Sequence, residues 1–152
     1  MTSTAPALLI VGVLLLGAHV MAADGLIVEP SSFVAKETMD KLAAEVKAKG
    51  LTVFARVDHA AGAVEVGMPL RPTELLIFGN AKGGTPLMQA NQETGIDLPL
   101  KALVYEDATG KVWLAYNDPH WIAKRHRLSA NQGATIDAMT ALLKELATRA
   151  TK

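Results

Sequence analysis

The sequence predicts an α+β domain, a largely antiparallel sheet with two long helices packed on one face. Three observations point there. An amphipathic helical stretch follows the first β-rich run, three or four further strand-like runs then succeed one another, and a second amphipathic stretch closes the chain. Strands that mostly follow one another pair as antiparallel neighbours, whereas strict strand–helix alternation would indicate a parallel sheet.

Leu26-Ile27-Val28-Glu29 is a short β-rich run ended by Pro30. Ser31 and Ser32 offer hydroxyls for a helix N-cap. Ala35, Met39, Leu42 and Val46 then recur at helical spacing through Lys49, and Gly50 supplies the stop. Lys41, Lys47 and Lys49 fall in the later turns, where they complement the helix dipole. Leu51 to Val57 alternates, with Leu51, Val53, Ala55 and Val57 on one face and Thr52, Phe54 and Arg56 on the other, which predicts a strand buried on one side. The first strand–helix–strand unit is expected to cross over with right-handed chirality.

Asp58 to Ala63 leads away from that strand as a short helical turn, and Arg71-Pro72 introduces a strand over Thr73 to Phe78. Gly79 to Gly84 reads as a glycine-rich loop, with Thr85 and Pro86 as the N-cap and first position of a helix. Leu100 to Glu106 and Lys111 to Asn117 flank Asp107-Ala108-Thr109-Gly110, a hairpin connection with Gly where a positive φ is expected. Asp118-Pro119 opens a short helix through His126, and Ile136, Met139, Leu142, Leu143 and Leu146 mark the final amphipathic helix.

Residues 1–23 carry no Lys, Arg, Asp or Glu, and their apolar centre runs from Ala7 to Ala18. That length suits the core of an export signal and is short for a membrane span. The domain organisation predicted is therefore a cleaved signal over 1–23 and a single domain over 24–152, placing the mature chain in the periplasm or outside the cell. Val20, Ala22 and Ala23 allow cleavage near Asp24, although no basic residue precedes the apolar run. The alternative is an uncleaved anchor, in which case the chain meets a membrane.

The chain has no cysteine, so disulfides, thiol catalysis and Cys-based metal sites are excluded. Fifteen Lys and Arg balance fifteen Asp and Glu, which argues against a nucleic-acid partner.

Several spaced segments together resemble a known family. They are Asp58-His59-Ala60, Gly67 with Leu70-Arg71-Pro72-Thr73, Phe78-Gly79-Asn80 with Gly84-Thr85-Pro86-Leu87-Met88-Gln89, and Asp97-Leu98-Pro99-Leu100. Tyr116-Asn117-Asp118-Pro119 and Arg125-His126 continue the match. In this order they resemble domain-of-unknown-function family 302, over roughly Leu26 to Leu128. One departure is Ala81, where members often carry proline. The resemblance implies a β-α-β(4)-α unit of the TATA-binding-protein-like type that tends to pair as a homodimer. It carries no reaction with it.

The candidate ligand-binding residues are His59, Arg71, Asn80, Lys82, Thr85, Asn117, Arg125 and His126. His59 at a strand end is a base, ligand or pH-sensitive group by chemistry, but no second metal ligand stands at a matching spacing, and a histidine that holds its own turn is the plainer reading. Asn80 to Thr85 departs from a phosphate loop, since Lys82 precedes the last Gly and Pro86 has no N–H to offer an anion. A tight turn feeding a capped helix explains the same residues, while exposed N–H groups with Lys82 would hold a carboxylate or phosphate. Arg71 suits a carboxylate or phosphate, or equally a surface ion pair. His120 and His126 are six apart and point to different helix faces, so zinc is not expected. Arg125 and His126 would line a pocket mouth or belong to a solvated basic face.

No cofactor is predicted. The alternative is a non-covalent haem pocket built from Met68, Met88, Trp113 and Trp121 with His59 or His126, because His and Met serve as axial ligands; covalent attachment is excluded without a Cys pair. Met and Trp at such spacings more often build core. Ser31, Ser32 and Ser129 lack a nucleophile-elbow context.

Three functions follow. The first is a non-catalytic binder of a small anionic or apolar ligand. The second is a homodimeric interaction module. The third is an enzyme using His59 as general acid–base with Arg71 or Lys82 holding a substrate anion, which requires these groups to share one pocket.

Overall fold

The computed structural model describes residues 23–152, so the expected export signal lies outside the described residues apart from Ala23. Ten principal elements follow in order: β1 (Leu26–Pro30), α1 (Ala35–Ala48), β2 (Thr52–Asp58), α2 (His59–Glu65), β3 (Thr73–Gly79), α3 (Ala81–Ala90), β4 (Leu100–Glu106), β5 (Val112–Asn117), α4 (Pro119–Arg125) and α5 (Gly133–Thr151). A 3-10 turn over Gln92–Ile96 links α3 to β4, and another over Ala130–Gln132 precedes α5.

The five strands form one sheet in the order β1-β5-β4-β3-β2, and every neighbouring pair is antiparallel. The α+β expectation and the β-α-β(4)-α order hold. β1 and β2 therefore run the same way on opposite edges, joined by α1 across the sheet.

Pairing register aligns one buried row after another. Leu76 faces Ala102, which faces Tyr116, while Phe78 faces Leu100, and Val104 faces Leu114. All seven are buried. Met39, Leu42 and Val46 of α1 and Ile136, Leu143 and Leu146 of α5 cover that face, each at 3 % exposure or less. Burying a large aliphatic or aromatic side chain stabilises by about 1.5–3 kcal/mol, so this single layer dominates the stability of the fold. Arg56 fastens the β2 edge to it, pairing with Glu74 of β3 and, at 2.6 Å, with Asp40 of α1. Glu74 is the chief cause holding the Arg56 guanidinium firmly charged.

Three local expectations need correction. The N-cap of α1 is Val34, without a side-chain bond; Ser31 instead pairs its hydroxyl with Thr38 Oγ1 at 2.7 Å and accepts the Phe33 N–H at 3.1 Å. The alternation read along β2 breaks at a bulge between Val53 and Ala55, so Val53 and Arg56 lie on the helix-bearing side and Ala55 and Val57 on the other. An extra residue reverses every side chain beyond it. Finally, the presumed loop Gly79 to Gly84 is mostly helix. Asn80 caps α3, its Oδ1 accepting the Gly83 N–H at 2.7 Å, and Pro86 lies inside the helix rather than at its start.

Other expected signals are found in place. Gly50 and Gly110 adopt φ of 71° and 81° at the end of α1 and in the β4–β5 hairpin. Asp118 caps α4 as its Asp-Pro pair predicts, accepting the His120 N–H, and Asp58, not read as a cap from the sequence, caps α2 by accepting the Ala61 N–H.

Candidate functional site

Strand direction divides the loops into two groups. β2 finishes and β3 begins at one end of the sheet, called here the α2 end. β3 finishes and β4 begins at the other, the α3 end, where β1 and β2 start and β5 stops.

The eight predicted residues fall on both ends. His59 and Arg71 lie at the α2 end. Asn80, Lys82, Thr85, Asn117, Arg125 and His126 lie at the α3 end. Seven residues of β3 separate the groups by about 20 Å at the usual rise per strand residue. His59 and Lys82 therefore cannot share a pocket, and that version of the enzyme reading is corrected. His59 is the exposed first residue of α2. Arg71 Nε donates to the Glu106 carbonyl at 3.1 Å, tying the approach to β3 onto the end of β4.

At the α3 end, Arg125 and His126 converge on Asp97. His126 Nε2 lies 2.6 Å from Asp97 Oδ2, with the two side chains 5 % and 10 % exposed, and Arg125 Nη1 reaches Oδ1 at 3.2 Å. Asn91 Nδ2 donates to the His126 carbonyl at 3.0 Å, and Lys101 Nζ donates to the Asp97 and Pro99 carbonyls. These bonds clamp α4 to the segment between α3 and β4. The Arg125 guanidinium also stacks 5.4 Å from the Trp121 ring. Asp97 and His126, both nearly buried, need such partners and have them.

The haem candidates divide between the two ends, with His59, Met68 and Trp113 at the α2 end and Met88, Trp121 and His126 at the α3 end. Met68 is 63 % exposed beyond α2, and His126 is engaged by Asp97. Trp113 Nε1 donates to Asp107 Oδ2 at 2.7 Å in the β4–β5 hairpin. Among the described residues no group of three or more His, Asp or Glu side chains could hold a metal ion.

What the α3 end does present is a cleft of about 570 Å³ between α3, α5 and the ends of β2 to β4. That volume is within the range of small-molecule sites. Leu51 and Phe54 supply one wall, Met88, Leu98 and Pro99 another, and Ala134, Ala138, Met139 and Leu142 of α5 the third. Gly83 and Gly84 keep the α3 side open; a methyl group on Gly84 would stand 3.5 Å from Leu98 and 3.7 Å from Met88. Of the lining residues only Asn80 and Thr135 carry polar side chains, and none is titratable. Thr85 sits beside a second, shallower depression with Met88, Gln89 and Gln92.

A family model for the domain of unknown function DUF302 matches residues 27–146. The chain belongs to the DUF302 family. A solved structure of an uncharacterized conserved DUF302 protein from Bacillus stearothermophilus superposes with a TM-score of 0.74, covering 84% of this chain and 99% of that one. At 19% identity it speaks for the fold alone. The "Fluoride-specific ion channel FluC 1" of Brucella suis biovar 1 (strain 1330) is 50% identical over 116 residues, or 76% of this chain and 46% of that protein. The protein of the same name from Brucella abortus biovar 1 (strain 9-941) matches at 50% over 116 residues and 43% of its length. This chain thus spans less than half of the curated relatives it matches. No helix among the described residues is long and apolar enough to cross a membrane.

Of the predicted site, only Asn80 lines the cleft. Of the apolar lining only Met88 was named for a ligand, as a haem neighbour, yet the sequence held two further signs of the cleft. Phe54 is a large aromatic on the side of β2 read as polar, and Leu142 beside Leu143 gives α5 a wider apolar stripe than two-layer packing uses.

Proposed function

We propose that this DUF302 chain is an exported, non-catalytic binder of a small apolar ligand held in the cleft between α3 and α5. The observation carrying this is the lining, which is almost wholly apolar, concave and open along one side. Such a surface favours a ligand by removing apolar area from water, about 25 cal/mol per Å². The absence of any titratable side chain in the lining favours binding over acid–base chemistry there, because proton transfer needs a positioned titratable group. Export rests on the charge-free apolar segment over 1–23.

Titration with the fluorescent apolar probe N-phenyl-1-naphthylamine tests the reading. Saturable one-site binding is expected, together with a rise in melting temperature, since ligand at a hundred times Kd stabilises by about 2.7 kcal/mol. Ala138→Phe should abolish both while leaving the circular-dichroism spectrum unchanged, because Ala138 is exposed on α5 and its replacement fills the cleft. Non-saturable binding, or binding indifferent to Ala138→Phe, would sink the proposal.

A homodimer is the second reading, favoured by a different surface. Val64, Val66, Met68 and Leu70 are 73 %, 70 %, 63 % and 48 % exposed in one short segment at the α2 end, beside Val57 at 38 %. Apolar side chains grouped in this way mark interaction sites. Native mass spectrometry should show a dimer that Met68→Lys converts to monomer; a wild-type monomer at micromolar concentration removes this reading. An accessory part in fluoride handling, suggested by the names of the Brucella relatives, would show as fluoride sensitivity on deletion of the gene.

A further inference from the structure

We infer that the cleft selects an electrically neutral apolar molecule carrying a hydrogen-bond acceptor, and that the Asn80 side-chain amide reads that acceptor. This rests on the cleft being the binding site and goes further by naming the ligand class. Two observations support it. First, no Lys, Arg or His lines the cleft, so an anionic head group drawn into it would lose hydration without gaining a counter-charge. Burying an unpaired charge is far costlier than burying a neutral polar group. Lys82 neighbours Ala81 and Gly83 in sequence but is exposed and absent from the lining.

Second, the orientation of the Asn80 amide is set by the first turn of α3. Oδ1 accepts the Gly83 N–H at 2.7 Å, which requires the oxygen on that side and leaves Nδ2 as the other arm. Asn80 is an exposed residue of the cleft wall, and among the described residues its Nδ2 has no hydrogen-bond partner, which leaves it open to water or to a ligand. Thr135, the other polar residue of the lining, is likewise uncharged. The cleft therefore offers neutral hydrogen-bonding groups in an otherwise apolar surface. That pattern suits a medium-chain ketone, ester or similar neutral molecule and disfavours a fatty-acid anion.

Displacement of N-phenyl-1-naphthylamine at pH 7 by 2-undecanone and by decanoate separates the classes. The ketone is expected to displace the probe at a concentration at least tenfold below that of decanoate. Asn80→Asp keeps an oxygen for the Gly83 N–H while replacing the donor, and Asn80→Gly removes the donor without adding charge, glycine being tolerated at a helix N-cap. Both should weaken the ketone about tenfold relative to the probe, whose Kd is measured in each variant. Decanoate binding as tightly as the ketone overturns the neutral class while the cleft remains a binding site. Ketone affinity unchanged in both variants overturns the role of Asn80. Absence of saturable probe binding in the wild type removes the cleft reading itself, and this inference with it.

Discussion

The two ends of the sheet use similar residue types to opposite effect. At the α3 end, polar and charged side chains are turned inward as fasteners: Asp97 holds His126 and Arg125, and Asn91 holds the His126 carbonyl. Asp97 stands directly before Leu98 and Pro99, which form one wall of an apolar cleft. At the α2 end, apolar side chains stand in solvent while Asp58 and Asp107 satisfy backbone groups of their own turns. One end thus encloses apolar space within the chain, and the other presents apolar surface outward. The proposed readings divide along the same line, with small-molecule binding proposed at the α3 end and self-association proposed at the α2 end.

The largest test of this contrast lies in the clamp. His126→Ala leaves the Asp97 carboxylate, 10 % exposed, with only its longer contact to Arg125. A loss of about 2 kcal/mol is expected by urea denaturation, since an unsatisfied buried polar group costs about 1–3 kcal/mol. Probe affinity in the cleft should fall as well, because Leu98 adjoins Asp97. A variant with unaltered stability and affinity would show that the clamp does not brace the cleft.

A smaller effect belongs to the hairpin at the α2 end. Asp107 accepts from Thr109 Oγ1 at 2.6 Å and Trp113 Nε1 at 2.7 Å, and from two backbone N–H groups. The Thr109 hydroxyl and the Trp113 indole, in that order, hold its carboxyl well below the usual carboxylate range. A depressed folded pKa contributes stability that is complete above the unfolded value of about 4 and is lost as pH falls below it. Asp107→Asn should therefore melt below the wild type at pH 7, with the gap narrowing as the pH is taken from about 4 towards 2. A gap that stays constant across that range would remove the ionic contribution.

The smallest change in stability is expected from Met68→Lys. The side chain is 63 % exposed and its replacement should alter monomer stability by no more than about 0.5 kcal/mol, as for most surface substitutions. Loss of the dimer without loss of monomer stability would sharpen the division between the two ends. A large destabilisation of the monomer would break it.

The overall architecture was legible in the sequence because it follows from local patterning. Helical spacing marked α1 and α5, Gly110 marked the hairpin, and Asp118-Pro119 marked the start of α4. Reading failed where two local signals competed. Thr85-Pro86 has the chemistry of a helix start, but Asn80 five residues earlier also caps, and its bond to Gly83 is the one formed. Alternation along β2 was sound up to Val53, beyond which a bulge left no trace in residue type. The candidate site suffered most, because charged residues were singled out for their chemistry while the cleft is built from side chains that resemble core.

By itself, then, the sequence determined the element order, the helices that cover the sheet, and the exclusion of cysteine chemistry. These depend on residue type and on spacing along a few turns. Only the tertiary structure decided which residues meet. Strand direction sent His59 and Lys82 to opposite ends, the Asp97 clamp drew in Arg125 and His126, and the gap between α3 and α5 left an apolar cleft with Asn80 in its wall. Such outcomes depend on register and on contacts between residues far apart in the chain, which no local periodicity encodes.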